Sequence, residues 1–403
     1  MRFVLCPILI ASILSTALGR EAKSEKDQSS TESKALEKLI AQLDGKTFQE
    51  REEAVRRLVA LGSVASTTLE RTASDLTVDP DVRLRAARAS YAISAVNIEM
   101  VRVLGEHTNL NNEPSMRWVR RVALSPDGKC AITAGGDGIR YWDLAAGKQI
   151  RLFGEHHNGY WSLAFSADGR QVIAGGDKVY LFDLKTGNIV HAMTGHEQTV
   201  WGTLLMADGK RAISGAWDQS IRVWDTATGK SMRSFKNVRG MVRCLAVSPD
   251  GKLLAAGHFT AEATPGTIRI WDVDKGTEIR SLPGHNMEVT NLSFSKDGKT
   301  LLSSSFDKTV RLWNVADGKE VKRFQGSMNR VECAAFTPDG RRIVACGDET
   351  DPHVHLWDVS SGKLLGVSER ADGGLLNVVV LPDGRQCLTA GKDGTVRLWR
   401  WLR

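Results

Sequence analysis

One unit of sequence recurs seven times in this chain and constrains its fold more than any other feature. Its clearest copy starts at Gly284-His285, passes through a turn at Lys296-Asp-Gly-Lys299 and ends at Val310-Arg-Leu-Trp313-Asn314. The aromatic residue near the end of the unit returns every 40 to 47 positions, at Trp142, Phe182, Trp224, Trp271, Trp313, Trp357 and Trp399. This period predicts an array of similar supersecondary units, each packed against its neighbours.

Short runs within each unit alternate apolar and polar residues, as in Val122-Ala-Leu124 and Val310-Arg-Leu312. Alternation at period two is typical of strands. Between the runs lie turn sequences in which proline and glycine favour tight hairpins, at Pro126-Asp-Gly128, Pro249-Asp-Gly251, Pro338-Asp-Gly340 and Pro382-Asp-Gly384. One four-stranded sheet cannot bury both of its faces, but seven sheets packed around an axis can.

With its Gly-His and Trp-Asp dipeptides, the unit resembles the WD40-repeat family over residues 99–403. The resemblance implies an all-β, seven-bladed β-propeller. Residues 99–104 match the fourth strands of the other units, whereas the chain stops just after Trp399, at the end of a third strand. We therefore expect residues 99–104 to complete the last blade and to remove its exposed sheet edge.

The resemblance also implies a polar network within the blades. Two sets of residues match the structural tetrad of the family, His196, Ser214, Asp218 and Trp224, and His285, Ser303, Asp307 and Trp313. The seventh unit keeps Thr389, Asp393 and Trp399 without a matching histidine, and the second has Ile173 at the Ser/Thr position. A serine, a histidine and an aspartate together also suggest a hydrolase triad, but their recurrence and the absence of a G-x-S-x-G sequence favour a structural role.

The first 98 residues differ in character from the repeats. Residues 1–19 have the positive start, apolar run and small residues (Ala17-Leu-Gly19) of a secretory signal peptide, with an uncleaved anchor as the alternative. Residues 20–32 are polar and predict a disordered linker. Removal of the signal would leave an exported protein, periplasmic or secreted, without an integral membrane span.

Residues 33–98 predict a small all-α domain. Leu36, Leu39, Ile40 and Leu43 recur at helical spacing, and Thr47 followed by Glu50 is a capping-box pattern that starts a second helix. A third helix is expected from Val64 to Ser74, and Asp79-Pro80 predicts the start of a fourth that reaches Val96. Two helical hairpins of this kind resemble HEAT-like repeats.

Charge and cysteine content narrow the class of protein further. The net charge is +7, but acidic residues are mixed among the basic ones and no Lys/Arg run is dense enough to follow a phosphate backbone, so nucleic acid is not an expected partner. His353 and His355 share a strand face and could hold a metal with Asp348 or Asp351, but two polar residues at the blade margin are favoured and no metal or cofactor is assigned. The turn at Pro338 places Cys333 and Cys346 on opposite faces, so buried thiols are expected rather than a disulfide.

These features together predict a non-catalytic, exported scaffold that binds unidentified protein partners through the top face of a propeller. The longest loops, 258–266 and 349–352, fall at that face, together with aromatic and basic residues of the kind that interfaces use, namely Trp118, Arg120, Trp161, Trp217, Arg243, Phe306 and Arg330. The alternatives are an exported propeller enzyme, quinoprotein-like or lactonase-like, or a propeller that binds carbohydrate or another ligand. A lactonase-type enzyme needs carboxylates around the axis, where only Glu288 and Glu332 are found.

Overall fold

A computed structural model of the chain describes residues 34–61, 63–75, 77–83, 85, 86, 89, 96–107, 117–155, 159–235, 238–259, 266–325 and 330–402. The predicted signal peptide and linker, His156 and His157, and most of the long loop in the fourth unit lie outside these residues. The chain divides into two compact units, residues 1–95 and residues 96–403. Among the described residues, no helix combines the length and the apolar character that crossing a bilayer requires.

The N-terminal unit is helical where it is described. Residues 34–41 are helical and continue into a 3-10 turn, Gln42–Asp44, and two α-helices follow at Phe48–Ala60 and Ser63–Ser74. Leu43, Ala54, Leu58, Ala65 and Leu69 are buried in one cluster, as expected for apolar residues at helical spacing. Residues 80–83 are helical again, and the side chain of Asp79 accepts hydrogen bonds from the backbone of Asp81 and Val82.

The predicted capping box starts the helix Phe48–Ala60. The backbone N–H of Glu50 donates to Thr47 Oγ1 at 3.2 Å, and the N–H of Thr47 donates to Glu50 Oε2 at 3.0 Å. Two N–H groups that the helix leaves without partners are thereby satisfied reciprocally. The capping box is therefore confirmed.

The C-terminal unit contains seven four-stranded antiparallel sheets, so the predicted seven-bladed propeller is confirmed. Its first strand is β1 (Asn97–Glu106). Blades 1 to 3 consist of β2 (Arg121–Leu124), β3 (Cys130–Gly135), β4 (Gly138–Asp143) and β5 (Lys148–Phe153); β6 (Ser162–Phe165), β7 (Gln171–Gly175), β8 (Val179–Asp183) and β9 (Ile189–Met193); and β10 (Val200–Leu205), β11 (Arg211–Ala216), β12 (Ile221–Asp225) and β13 (Ser231–Ser234).

Blades 4 to 7 continue in the same order. They consist of β14 (Met241–Val247), β15 (Leu253–Phe259), β16 (Thr267–Asp272) and β17 (Thr277–Leu282); β18 (Val289–Phe294), β19 (Thr300–Ser305), β20 (Val310–Asn314) and β21 (Glu320–Phe324); β22 (Val331–Phe336), β23 (Arg342–Gly347), β24 (Val354–Asp358) and β25 (Leu364–Val367); and β26 (Leu375–Val380), β27 (Gln386–Gly391) and β28 (Thr395–Leu402), with β1 as the outer strand.

Strand β1 closes the ring by pairing antiparallel with β28, with Ile98 opposite Trp401 and Met100 opposite Trp399. It begins at Asn97, two residues before the expected start at residue 99. The reason is that Ile98 and Trp401, both almost completely buried, already belong to the apolar cluster between blades 6 and 7. The first and last strands of the propeller thus form one sheet, which leaves no open seam in the ring.

A basic side chain on the outer strand joins neighbouring blades at the turn between the third and fourth strands. Arg280, for example, donates from Nη1 to the carbonyl oxygen of Val315 in the next blade at 2.5 Å. The described residues contain six such links, made by Arg102, Arg151, His191, Arg233, Arg280 and Lys322. Between blades 6 and 7, the backbone N–H of Val96 donates to Leu365 O instead.

The turn that receives each of these side chains contains a glycine in the left-handed region. Gly318 has a φ of 74°, and a Cβ there would lie 2.5 Å from Cδ of Arg280. Gly340, in the hairpin between the first two strands of the next blade, has a similar φ of 69° but no atom within 4 Å of such a Cβ. Alanine substitutions at Gly318 and Gly340 therefore separate the cost of the positive φ, which both share, from the cost of the close approach of Arg280, which only Gly318 has.

We expect Gly318→Ala to lower the free energy of unfolding by about 1 kcal/mol or more beyond the roughly 1–2 kcal/mol that the positive φ alone costs in Gly340→Ala. Denaturant titration of both variants measures the difference. Arg280→Ala should recover part of the loss in Gly318→Ala, since truncating the arginine makes room for the methyl group. Equal losses for Gly318→Ala and Gly340→Ala would show that the arginine does not restrict this turn.

The predicted placement of Cys333 and Cys346 on opposite faces is wrong. The two residues are directly opposite one another in the β22–β23 ladder, because the turn leaves Thr337 and Arg342 paired rather than offset. Directly opposed residues of an antiparallel pair point to the same face. Both thiols are buried and free, and burial raises the pKa of each.

Candidate functional site

The two predicted tetrads assemble inside blades 3 and 5. In blade 5, His285 Nδ1–H donates to Asp307 at 2.8 Å, the Ser303 hydroxyl donates to His285 Nε2 at 2.7 Å, and the Trp313 indole N–H donates to Ser303 Oγ at 2.8 Å. Blade 3 repeats the arrangement, with distances of 2.8, 2.6 and 2.8 Å for His196–Asp218, His196–Ser214 and Trp224–Ser214.

Hydrogen bonds run from aspartate to histidine to serine, as in a serine hydrolase, but the serines have no access to a substrate. Ser214 and Ser303 are each 0% exposed, and each hydroxyl oxygen already accepts the indole N–H. Burial would raise the pKa of Asp218, yet hydrogen bonds from His196 and Ser220 outweigh it and lower the pKa to about 2. The arrangement satisfies buried polar groups and links the loop before the first strand to the second and third strands.

A third tetrad, in blade 1, was missed by the sequence analysis. His107 bonds Asp137 through Nδ1 and Thr133 through Nε2, and the Trp142 indole N–H donates to Thr133 Oγ1 at 2.8 Å. The sequence signal was present as Gly105-Glu-His107, in which one residue separates the glycine from the histidine. A search for a contiguous Gly-His pair passes over it.

Blades 4 and 6 fill the same space differently. Ala256 and Ala345 take the Ser/Thr position, and a histidine on a strand contacts the tryptophan ring instead. His258 lies 5.3 Å from Trp271, and His355 stacks on Trp357 at 5.4 Å between ring centroids. These two histidines therefore have packing roles that the sequence pattern did not indicate.

Burial of His258 makes stability depend on pH. Burial, reinforced by the positive charge of Arg269, lowers the pKa of His258 to about 3. In the unfolded chain the pKa returns to about 6.5, so below pH 6.5 the unfolded state binds a proton that the folded state does not. The folded state therefore loses stability as the pH falls from about 6.5 towards 3, and above 6.5 this group has no effect.

Between pH 7.5 and pH 5.0 we expect the His258→Gln variant to lose about 2 kcal/mol less stability than the wild type. The reason is that one such group changes the free energy of unfolding by up to about 1.4 kcal/mol per pH unit. Denaturant unfolding of both proteins at the two pH values measures this difference. The variant starts from a lower stability at pH 7.5, so the quantity compared is the change with pH. An unchanged pH dependence in the variant would contradict the assignment to His258.

A separate cluster of aromatic and charged side chains lies at one end of the propeller, where first strands begin and second strands end. The first strands of blades 3 to 7 each have an extra residue in a β-bulge near their start: Trp201, Arg243, Thr290, Glu332 and Leu376. Arg120 and Trp161 precede β2 and β6 at the equivalent positions. Bulges re-aim side chains, and six of these seven residues line one cavity of about 210 Å³, the channel mouth.

The aromatic side chains of the channel mouth form a continuous stack. Trp161 stacks on Trp201 with ring centroids 4.2 Å apart, and Trp201 stacks on Trp217 at 4.9 Å. The guanidinium of Arg120 covers the outer side of Trp161, 3.9 Å from the ring centroid. Phe259 closes the other end with an edge contact to Trp217 at 6.0 Å.

Basic side chains surround this stack. Arg243 lies over both Trp201 and Phe306, Arg330 lies over Phe306, and Lys392 lies over Trp118, with distances of 4.8 to 5.3 Å from cation to ring centroid. Such cation–π contacts hold the rings and the cations in fixed positions. Burial lowers the pKa of Arg120 to about 10.

The two acidic residues near the axis both bind Arg243, through Glu288 Oε1 at 2.6 Å and Glu332 Oε2 at 2.9 Å. Burial lowers the pKa of Arg243, but the two carboxylates outweigh it and the pKa is raised. An arginine therefore occupies the place between the carboxylates where a lactonase-type site would hold a cation.

Of the residues assigned to partner binding from the sequence, the structure brings Trp118, Arg120, Trp161, Arg243 and Phe306 into the wall of the channel mouth. Trp217 and Arg330 contact that wall through Trp201 and Phe306. The sequence analysis missed Trp201, Arg121, Leu376 and Lys392. Trp201 and Leu376 were missed because a bulge, which no sequence period reveals, changes where their side chains point.

Both histidines weighed as metal ligands contact polar groups of blade 6 or of the loops next to it. His353 Nδ1 lies 2.9 Å from Ser368 O, and His355 Nε2 lies 3.2 Å from Asp351 Oδ2. Within the described ranges, no group of three or more His, Cys, Asp and Glu side chains is arranged to hold a metal ion.

Comparison with known families supports the reading of the repeats. The sequence profile of the WD40 family (WD domain, G-beta repeat) matches six segments that together cover more than half of the chain: residues 147–179, 187–225, 229–272, 276–314, 318–358 and 362–400. Each segment runs from the outer strand of one blade to the third strand of the next. No curated protein matches the chain.

Proposed function

The chain belongs to the WD40-repeat family, whose propellers are commonly protein-interaction scaffolds, and we propose that this one is a non-catalytic scaffold that binds protein partners at the channel mouth. The observation that carries the proposal is the convergence of three tryptophans, one phenylalanine and several basic residues on one cavity held by seven rigid sheets. Tryptophan and arginine contribute most of the binding energy in many protein interfaces.

A catalytic role has less support from the arrangement of the polar groups. The hydroxyls of Ser214 and Ser303 are enclosed within blades, and the axial carboxylates are engaged by Arg243. Catalysis needs a nucleophile or general base beside a space that admits substrate. Most charged groups at the channel mouth are instead cations in contact with aromatic rings, and the carboxylate that lines it, Glu332, is bound by Arg243.

The N-terminal residues add two parts to the proposal. The apolar run before Ala17-Leu-Gly19 supports export, to the periplasm or the medium, with a mature chain that begins at Arg20. N-terminal sequencing of the protein from the cells that produce it tests this, and a chain that retains Met1 in the cytosol contradicts it. The helices of residues 34–89 are the part that we assign to a HEAT-like domain, which would offer a second binding surface.

Capture from the producing cells tests the binding role. Wild-type protein, a Trp118→Ala/Phe306→Ala variant and a Lys299→Ala control at the opposite end of the propeller serve as baits, with circular dichroism to verify that each is folded. A partner should be retained by the wild type and the control and lost by the double variant, because loss of a central aromatic side chain commonly costs about 2 kcal/mol or more of binding energy. Equal retention by all three baits would move the binding site away from the channel mouth.

A further inference from the structure

The size of the channel mouth limits what enters it. Its volume of about 210 Å³ is below the 300–1,000 Å³ that is usual for small-molecule and cofactor pockets. The cavity is partly open, so a projecting side chain on a partner can enter it. The space suits one or two side chains of a peptide rather than a whole small molecule.

The faces of the tryptophans are already covered. Arg120, Trp161, Trp201 and Trp217 form one stack, so each face of Trp161 and Trp201 carries a neighbouring group. A sugar ring or a ligand cation needs an open aromatic face, which this stack does not offer. The rings of Trp161 and Trp201 therefore act as walls that position neighbouring groups, which leaves Trp118 and Phe306 as the aromatic residues for contact with a partner.

The groups that remain for a ligand are hydrogen-bond donors. Arg243 is engaged by Glu288 and Glu332, but Arg121 and Lys392 line the same cavity and add positive charge. Lys392 is paired with Glu349, and because the Glu349 side chain is 62% exposed, against 17% for Lys392, water can replace the glutamate when another carboxylate approaches the lysine.

We infer that the channel mouth recognises an acidic peptide segment, one of whose Asp or Glu carboxylates enters the cavity between Arg121 and Lys392. The inference rests on the proposed function and specifies the chemistry of its partner. A carboxylate is an acceptor-only group, so it complements the cationic donors of Arg121 and Lys392 that line the cavity.

The test uses the full-length chain to select binders from a displayed library of short random peptides. The selected peptides should be enriched in Asp and Glu, and replacement of their acidic residues by Asn and Gln should weaken binding about tenfold or more, measured by fluorescence anisotropy. Lys392→Glu and Arg121→Gln in the protein should weaken binding to a similar extent. Lys299→Glu, which changes the same charge at the opposite end, is the matched control and should bind like the wild type.

The arms of the experiment separate the two proposals. Selected peptides without acidic enrichment that still lose binding in the Trp118→Ala/Phe306→Ala variant would overturn the acidic preference and leave the scaffold role standing. Peptides that bind all variants equally, together with captured partners that do the same, would overturn both. Absence of any selected peptide, or displacement of the peptide by a single-stranded RNA oligonucleotide that binds more tightly, would also overturn the inference.

Discussion

A chain that begins at His107 should fail to form a cooperatively folded propeller, whereas a chain that begins at Val96 should retain it. The shorter chain lacks β1, the strand that pairs with β28 on the outer side of blade 7. Ile98 and Leu104, 3% and 7% exposed, would leave the apolar clusters on either side of that blade. Loss of a buried side chain of this size costs about 2–5 kcal/mol, and total stability is commonly about 5–15 kcal/mol.

Thermal unfolding followed by circular dichroism and tryptophan fluorescence compares the two chains. The chain from Val96 is the matched control, because it lacks the helical unit but contains every strand from β1 to β28. Addition of a peptide with the sequence of residues 96–106 should restore the transition of the shorter chain, since it supplies the missing strand. Equal, cooperative transitions without the peptide would refute the role of β1 in closing the ring.

The repeats were readable from the sequence because their signals are local. Turn residues such as Pro249-Asp-Gly251 and the aromatic residue on each third strand recur at a fixed spacing, and each is needed for its own hairpin or blade. The tetrads of blades 3 and 5 followed from the same spacing. The tetrad of His107 did not, because one additional residue in the loop breaks the spacing without changing where the histidine lies.

The channel mouth was only partly readable, for a different physical reason. Trp118 and Arg120 precede a first strand, so their approach to the axis follows from strand order. Trp201 owes its position to a bulge, which depends on how β10 pairs with β11 and leaves no compositional mark. Lys392 comes from the loop after a second strand and reaches the cavity only because blade 7 lies beside blade 1. Positions that depend on neighbouring blades cannot be derived from one repeat.

The second large loss of stability is expected on removal of a tetrad aspartate, and its size should differ between blades 3 and 5, whose tetrads contain a serine. Asp307 binds His285 and also Arg311, whose side chain is 4% exposed, through a 2.8 Å contact to Nη2. Asp218 binds His196 and Ser220. Removal of Asp307 therefore leaves a buried guanidinium with Glu320 as its remaining carboxylate, whereas removal of Asp218 takes a hydrogen-bond partner from His196 and Ser220.

We expect Asp307→Ala to lower the free energy of unfolding by about 3–5 kcal/mol, the usual cost of breaking a buried ion pair from one side, and Asp218→Ala by about 1–3 kcal/mol, the cost of an unsatisfied buried polar group. Denaturant unfolding measures both, with Asp317→Ala, an exposed aspartate in the β20–β21 turn of the same blade, as the control that should stay near the wild type. Adding Arg311→Met to Asp307→Ala should recover stability, because it removes the buried charge together with its partner. If Asp307→Ala and Asp317→Ala lost equally little stability, the tetrad would have no structural role, and its enclosed His-Ser-Asp arrangement would need a chemical explanation instead.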